Sequence, residues 1–379
     1  MINVTSNNVS TLAGVPHISG FLNGPATSAT FNSPSGVAIN PSNGNIIVAD
    51  TYNHAIRLIN VTSNNVSTLA GTGSSGYLDG PATSAKFNSP VGVAVDPSNG
   101  NIMVADTHND MLRMINVTSN IVSTLATSLI FPNGVAVDPL NGNIIVADTN
   151  DQMIKLFNIT SKKISIIAGT GGYGDSNGPA SSATFAFPCG VAVDPLNGNI
   201  IVADTNNQMI RMINVTSNTV STLAGNGFNG YLNGLANSSE LSYPPGIAIN
   251  PLNRNIIFSD ANWFIRSIEL INISSVPIAV PYSLNASAIG GTYVFLIWNA
   301  PYDPTSINFM ISYQVNGSNG PLTNISTSDL SQTYSLLGLE PNTTYDIAVA
   351  SQNPIGSGPE SSRIFVKTCM SNNFFSFNT

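Results

Sequence analysis

Residues 36–71, 92–127, 134–169, 190–225 and 246–271 are near-copies of one segment, and their starts lie 56, 42, 56 and 56 residues apart. The first copy reads GVAINPSNGNIIVADTYNHAIRLINVTSNNVSTLAG. A repeat of roughly 40–50 residues made of short β-type runs predicts propeller blades, not a helical solenoid. In the second copy the apolar run at 92–95 predicts an inner strand. Asp96-Pro97 and Gly100 predict a tight turn. Strands are then expected at Ile102–Ala105, at Met111–Val117 with Arg113 facing outward, and at Val122–Ala126. Four antiparallel strands joined by tight turns make one blade.

The connection from one copy to the next is about 20 residues in four places and only 127–133 in one. The long form carries Tyr77-Leu78-Asp79-Gly80-Pro81-Ala82, then Ala85, Phe87 and Pro90. Long loops with no structure of their own are uncommon in compact domains, so these are expected to be ordered and to rest on the blades.

The GVAVDPxNGNIIVADTxNxxIRxI pattern resembles the NHL repeat, and the G-x-G-x-x-G-Y-x-D-G-P-A loops resemble the extracellular, teneurin-like type of NHL propeller. The resemblance covers residues 1–272 and implies five to six blades, in a complete or an incomplete ring. Residues 2–14 are identical to residues 59–71, so the chain opens in mid-repeat. It is read as a piece of a longer protein, with no signal peptide in the chain itself. Two closures are open: the leading strand at Val9–Ala13 completes the last blade, or a six-position ring has a gap.

From Pro277 the repeat stops. Alternating runs at Tyr293–Asn299 and Phe309–Val315, an early Trp298, and Leu339-Glu340-Pro341-Asn342-Thr343-Thr344-Tyr345 with Tyr345 after a corner are β-sandwich features. This stretch resembles a fibronectin type III domain. The expected organisation is all-β: an NHL-type propeller over 1–275, an immunoglobulin-like fibronectin type III β-sandwich over 276–368, and an unstructured tail over 369–379.

Several chemistries lose support at this stage. The net charge is −8, which disfavours a phosphate backbone as partner. No apolar run is long enough for a membrane span. Cys189 and Cys369 lie in different expected domains and outside any ligand spacing, so neither a disulfide nor a metal is expected of them. Asp50, Asp106, Asp148, Asp204 and Asp260 recur with Arg57, Arg113, Lys155, Arg211 and Arg266 six or seven residues later. Five near-symmetric copies read as structural ion pairs rather than as a catalytic centre. Resemblance to propeller zinc lyases would place metal on histidines. His17, His54 and His108 have no ligand spacing, however, and His54 occupies a repeat position filled elsewhere by Asp110, Gln152 and Gln208. No catalytic residue, cofactor or metal is assigned.

Charged residues make up 8% of the chain, against about 25% in ordinary soluble domains. Thirteen N-x-[ST] sequons are present. Asn3, Asn8, Asn60, Asn65, Asn116, Asn158, Asn214, Asn237 and Asn272 belong to the repeat region; Asn285, Asn316, Asn324 and Asn342 lie beyond it. Turn chemistry explains some repeat copies, but together with the scarcity of charge they point to a glycosylated chain outside the cell or on its surface. Glycans at the strand-three turns would crowd one propeller face. The opposite, long-loop face carries Tyr77, Asp79, Tyr173, Asp175, Phe228 and Tyr231. Aromatic residues are favoured in binding hot spots, and loops on a rigid frame commonly carry binding. These residues are the candidate contacts for a protein or glycan in a non-enzymatic recognition or adhesion protein, although they could equally serve to anchor their own loops. The alternatives are a propeller lyase or hydrolase with its metal site lost or incomplete, and an intracellular scaffold.

Overall fold

The computed structural model describes residues 2–3, 8–251, 253–269, 280–300, 308–318, 321–327, 331–353 and 356–370. The chain is all-β and divides into two units, Met1–Leu270 and Ile271–Thr379. The expected boundary at 275/276, Asn272 and residues 371–379 lie outside the described residues.

The first unit is the propeller. Blade II shows its construction. Val93–Val95, Ile102–Asp106, Met111–Asn116 and Ile121–Ala126 pair in order as antiparallel neighbours. Blades I, III and IV repeat this order over Pro34–Ala70, Pro132–Ala168 and Pro188–Ala224. Among the described residues blade V has three strands, Ile247–Ile249, Ile256–Asp260 and Phe264–Ile268. Blades I, II and IV gain a fifth, outermost strand that the sequence did not announce. It is the Gly-Pro of the incoming long connection, Gly24–Pro25, Gly80–Pro81 or Gly178–Pro179, laid antiparallel on strand four. A long connection therefore runs out to the edge of the next blade before it enters at the centre. Blade III, with the short connection, has only four strands.

Neighbouring inner strands meet backbone to backbone through glycine. A Cβ on Gly36, Gly92, Gly134 or Gly190 would stand 2.2, 2.0, 2.2 or 2.7 Å from a carbonyl oxygen of the next blade. The hydroxyls of Thr51, Thr107, Thr149 and Thr205 then donate to the Pro90, Pro132, Pro188 and Pro244 carbonyls of the following blade, at 2.7–2.8 Å. Between blades the core is aliphatic: Ile47, Ala49 and Ile56 of blade I share one buried cluster with Val93, Val104 and Val122 of blade II.

Among the described residues the shared-blade closure does not form. Asn8–Val9 pairs with Ile2–Asn3. Among the described residues, the last strand of blade V pairs only with Ile256–Asp260. The two leading strands are close in sequence, and short-range closure costs less chain entropy than a pairing across the whole domain.

The second unit is a β-sandwich. One sheet joins Tyr282–Ile289, Tyr293–Asn299 and Thr333–Leu337; the other joins Thr323–Ser326, Asn308–Val315, Thr344–Asn353 and Gly356–Glu360, with Ile364–Lys367 also on Thr344–Asn353. Trp298 is buried between the sheets, edge-on to Phe309. The Glu340 N–H donates to the Tyr345 hydroxyl at 2.8 Å, making the tyrosine corner. Backbone bonds tie Cys369 to Gly290 and Asn342, so the expected tail begins inside the sandwich's hydrogen bonding at that residue.

Candidate functional site

Each long connection is fastened from beneath by the repeated acid and base. Arg113 is not an outward side chain. It is fully buried, as are Arg57 and Arg211. Its guanidinium meets Asp106 at 2.7 Å and donates to the carbonyls of Leu78 and Lys86 in the loop above. The other Asp106 oxygen accepts the Asn88 N–H at the end of the same loop, and Asn109 bridges Asp106 to the Gly76 carbonyl. The guanidinium lies between the rings of Tyr77 and Phe87, 5.0 and 5.1 Å from their centroids. Blades I and IV reproduce the ion pair at 2.6 and 2.7 Å, and blade V at 3.0 Å. Burial pushes the Asp204 carboxyl up to about 6, against donors from Ala186, Asn207 and Arg211. Asp106 and Asp148 move in the same direction for the same first reason.

The candidate contacts separate into two kinds. Asp79 is an anchor: its oxygens take Arg113 Nη2 at 2.6 Å, Arg113 Nε at 3.1 Å and the Thr124 N–H at 3.0 Å. Asn23, Asn177 and Asn233 hold the equivalent place in blades I, IV and V. Tyr77 is half committed, with one ring face on Arg113 and its hydroxyl accepting from Thr124. Tyr173, Phe228 and Tyr231 are largely exposed, and Asp175 is exposed as well. Tyr173 leans on Phe187 and Tyr231 on Phe264, so their positions are fixed while one side stays open. The turns after strand two reach the same loops: Asn53 and Asn207 donate to the Gly20 and Gly174 carbonyls. The long connections and these turns therefore form one face.

The histidine positions are structural or solvent-facing. His54 Nδ1 accepts the Ser89 N–H at 3.0 Å, and Asp110 and Gln152 do the same for Phe131 and Phe187. His108 lies on the Phe131 ring, and His17 is exposed. Cys189 and Cys369 are free thiols, and burial raises the Cys189 thiol.

The sequon asparagines also divide. Asn60, Asn116, Asn158 and Asn214 spend Oδ1 on the two N–H groups that follow in the strand-three turn. Asn237, Asn285, Asn316, Asn324 and Asn342 are exposed.

The NHL repeat family matches residues 31–57 and 87–110, and the fibronectin type III domain family matches residues 279–367. The chain carries NHL repeats followed by a fibronectin type III domain. It is 29% identical over 277 residues to Protein SUPPRESSOR OF QUENCHING 1, chloroplastic, of Arabidopsis thaliana, covering 66% of this chain and 26% of that protein. It is 31% identical over 107 residues to NHL repeat-containing protein 2 of Homo sapiens, covering 28% of this chain and 15% of that protein. The chain thus spans about a quarter or less of the length of these relatives. A solved protein of unknown function from Bacteroides thetaiotaomicron superposes with a TM-score of 0.46 at 20% identity, over 68% of this chain and 74% of that one. The NHL and fibronectin type III architecture supports a role in binding and recognition. Among the described residues no helix is long and apolar enough to cross a membrane.

Proposed function

We propose that this chain is a non-enzymatic recognition module, working outside the cell or at its surface, that grips a protein or glycan with the long-loop face of its NHL propeller. The observation that carries the reading is the pairing of exposed aromatic side chains, Tyr173, Phe228 and Tyr231, with loops fastened to buried Arg–Asp pairs. Aromatic groups held rigid in solvent lose little entropy on binding, which favours them as contacts. Asp79 belongs to the frame of this face, and Asp175 to its rim. The buried acids and bases pair with one another and with the loop carbonyls, which supports a structural role for them rather than a catalytic one.

The extracellular part rests on exposed sequons in both units, Asn237 in the propeller and Asn285, Asn316, Asn324 and Asn342 in the sandwich. The chloroplastic relative supplies the opposing outcome. Secreted material should lose mass on amidase treatment. If mass spectrometry finds every sequon unmodified, the module works inside the cell. For recognition, arrays of glycans and of extracellular proteins should be probed with the parent chain and with the Tyr173→Ser, Phe228→Ser, Tyr231→Ser triple variant. Binding should fall at least tenfold with the melting temperature unchanged. Unchanged binding by the folded triple variant would place the contact elsewhere.

A further inference from the structure

Blade III differs from blades I, II and IV at its outermost strand. In those three blades, strand four carries a fifth strand in one fixed register. Gly24, Gly80 and Gly178 pair with Val66, Val122 and Val220, and the prolines that follow pair with Asn65, Ile121 and Thr219. The N–H groups of Ala26, Ala82 and Ala180 then donate to the carbonyls of Asn64, Asn120 and Asn218. Those alanines share buried clusters with Val66, Val122 and Val220. On the other side of the glycine, Asp79 accepts the Thr124 N–H. The hydroxyls of Thr68, Thr124 and Thr222 donate to Asn23, Asp79 and Asn177 of the same connections.

Strand four of blade III, Lys163–Ala168, pairs with strand three alone among the described residues. By the shared register, the Lys162 carbonyl and the Ile164 and Ile166 N–H groups face the open edge. Ile164 is half-buried where Val66, Val122 and Val220 are buried, and Ile166 is 55% exposed. Ile166 stands where the other blades use threonine to bond their own connection. A hydroxyl there would suit an edge that meets only water; isoleucine offers an apolar contact instead. Lys162 and Lys163, both exposed, are the only adjacent cations in the chain. An unpaired strand edge is a template for another chain, and lysine on it discourages unselective pairing.

We infer that the open edge of blade III is a docking site for an extended, acidic segment of a partner protein, added as a fifth strand. The three complete blades fix its register and its core. An Asp or Asn accepts the Ile166 N–H, a small residue lies opposite Ile164, and the next N–H but one donates to the Lys162 carbonyl. Apolar side chains of the segment cover Ile164 and Ile166. Carboxylates beyond the small residues meet Lys162 and Lys163, so charge selects which segment is accepted. Main-chain bonds to the edge supply affinity, as in other strand additions. The site shares no residue with the long-loop contacts, so it stands or falls separately from the proposed function.

The test titrates the full chain with two fluorescein-labelled peptides, one with the core L-D-G-P-A-E-E and one with the core L-D-G-P-A-K-K, and reads anisotropy and amide hydrogen exchange. The acidic peptide should saturate, should bind about tenfold more tightly than the basic one, and should slow exchange at Ile164 and Ile166. Lys162→Glu combined with Lys163→Glu should reverse the preference between the peptides. Ile166→Pro removes an edge-facing N–H at an exposed position, which an edge strand tolerates. Its melting temperature should hold while binding of the acidic peptide falls about tenfold. Equal binding of the two peptides, no saturable binding, or protection that leaves Ile164 and Ile166 unchanged overturns the proposal. So does a parent chain that sediments as a dimer with residues 164–166 already protected, because a second copy would then be the occupant.

Discussion

Blades II and III carry the same repeat but receive the chain in different ways, and the difference explains which cation each uses. Blade II is entered by a long connection, and Arg113 serves it. One guanidinium reaches Asp106, Asp79 and the Leu78 and Lys86 carbonyls. Blade III is entered by a short linker, and Lys155 serves it. The ammonium reaches Asp148 and Asp151, each at 2.5 Å, and the Ser128 carbonyl at 3.3 Å. A guanidinium has five donors in a fixed fork and an ammonium has three, so the count of donors follows the count of acceptors the connection brings. The repeated acid and base are thus a clamp sized to the loop above. The long-loop face can vary its tips because its base is held beneath them.

The largest effect should come from removing the acid of blade IV, whose cation has no second carboxylate beside it. Asp204→Ala leaves the buried Arg211 with Asn177 and loop carbonyls as its remaining partners and should cost about 3–5 kcal/mol. Asp148→Ala leaves Lys155 paired with Asp151 and should cost about 1–3 kcal/mol. Urea unfolding of the two variants checks the order. Equal losses would show that Asp151 does not stand in for the missing partner.

The comparison can be broken directly by exchanging connections. Replacing residues 71–90 by residues 127–132 removes the acceptors that Arg113 uses in its loop, and should cost about 1–3 kcal/mol per donor left buried without a partner. Adding Arg113→Lys should recover part of that loss in the exchanged chain and should destabilise the parent chain. A double-mutant cycle measures the coupling. If Arg113→Lys has the same sign in both backgrounds, cation and loop are not matched.

Much of this was legible in the sequence because the repeat shows each choice several times. Asp recurs before a tight turn with a cation on the next strand, and pairing follows from that. Trp298 and Tyr345 were placed correctly because a corner and an alternating strand have local signatures. What could not be read is nonlocal. Gly80–Pro81 becomes a strand only because Ile121 and Val122 of its own blade offer an edge. Arg113 was read as outward from strand alternation, yet the loop that buries it comes from the preceding connection. Asp79 looked like a contact because nothing in its own segment shows the guanidinium below it. The signal that could have found it is Asn23, Asn177 and Asn233 at the same place, a set chosen for hydrogen-bond acceptance rather than for charge.

That substitution series gives a smaller test. Asp79 takes Arg113 Nε, while the Nε of Arg57 and of Arg211, beneath Asn23 and Asn177, are buried with no hydrogen-bond partner. Asn177→Asp should supply the missing acceptor and add up to about 1 kcal/mol, and Asp79→Asn should remove a similar amount. Thermal midpoints of the pair decide it. A loss from Asn177→Asp would mean that desolvating the new carboxylate outweighs the bond to Nε.

The smallest effect concerns how the two kinds of connection are stapled where they end. The Ser89 N–H, at the end of the long connection, is accepted by His54, and the Phe131 N–H, at the end of the short linker, is accepted by Asp110 at 2.7 Å. The first staple is an imidazole, which can take up a proton. Burial, followed by the charge of His108, lowers the His54 pKa below its ordinary value of 6.5. The folded chain therefore takes up this proton less readily than the unfolded chain does. The contribution is complete above pH 6.5 and is lost as pH falls from there toward the lowered folded value, because the unfolded state gains a proton that the folded state resists. Protonated Nδ1 also ceases to accept, so the Ser89 N–H loses its partner when the folded imidazole finally charges. His54→Asp copies the staple of the short linker and should flatten stability between pH 6.5 and pH 5, while the parent chain declines. His108→Asn should also moderate the decline, because it removes the neighbouring charge that opposes protonation of His54. A parent chain whose melting temperature does not change across that range would show that the long connection is held without this staple.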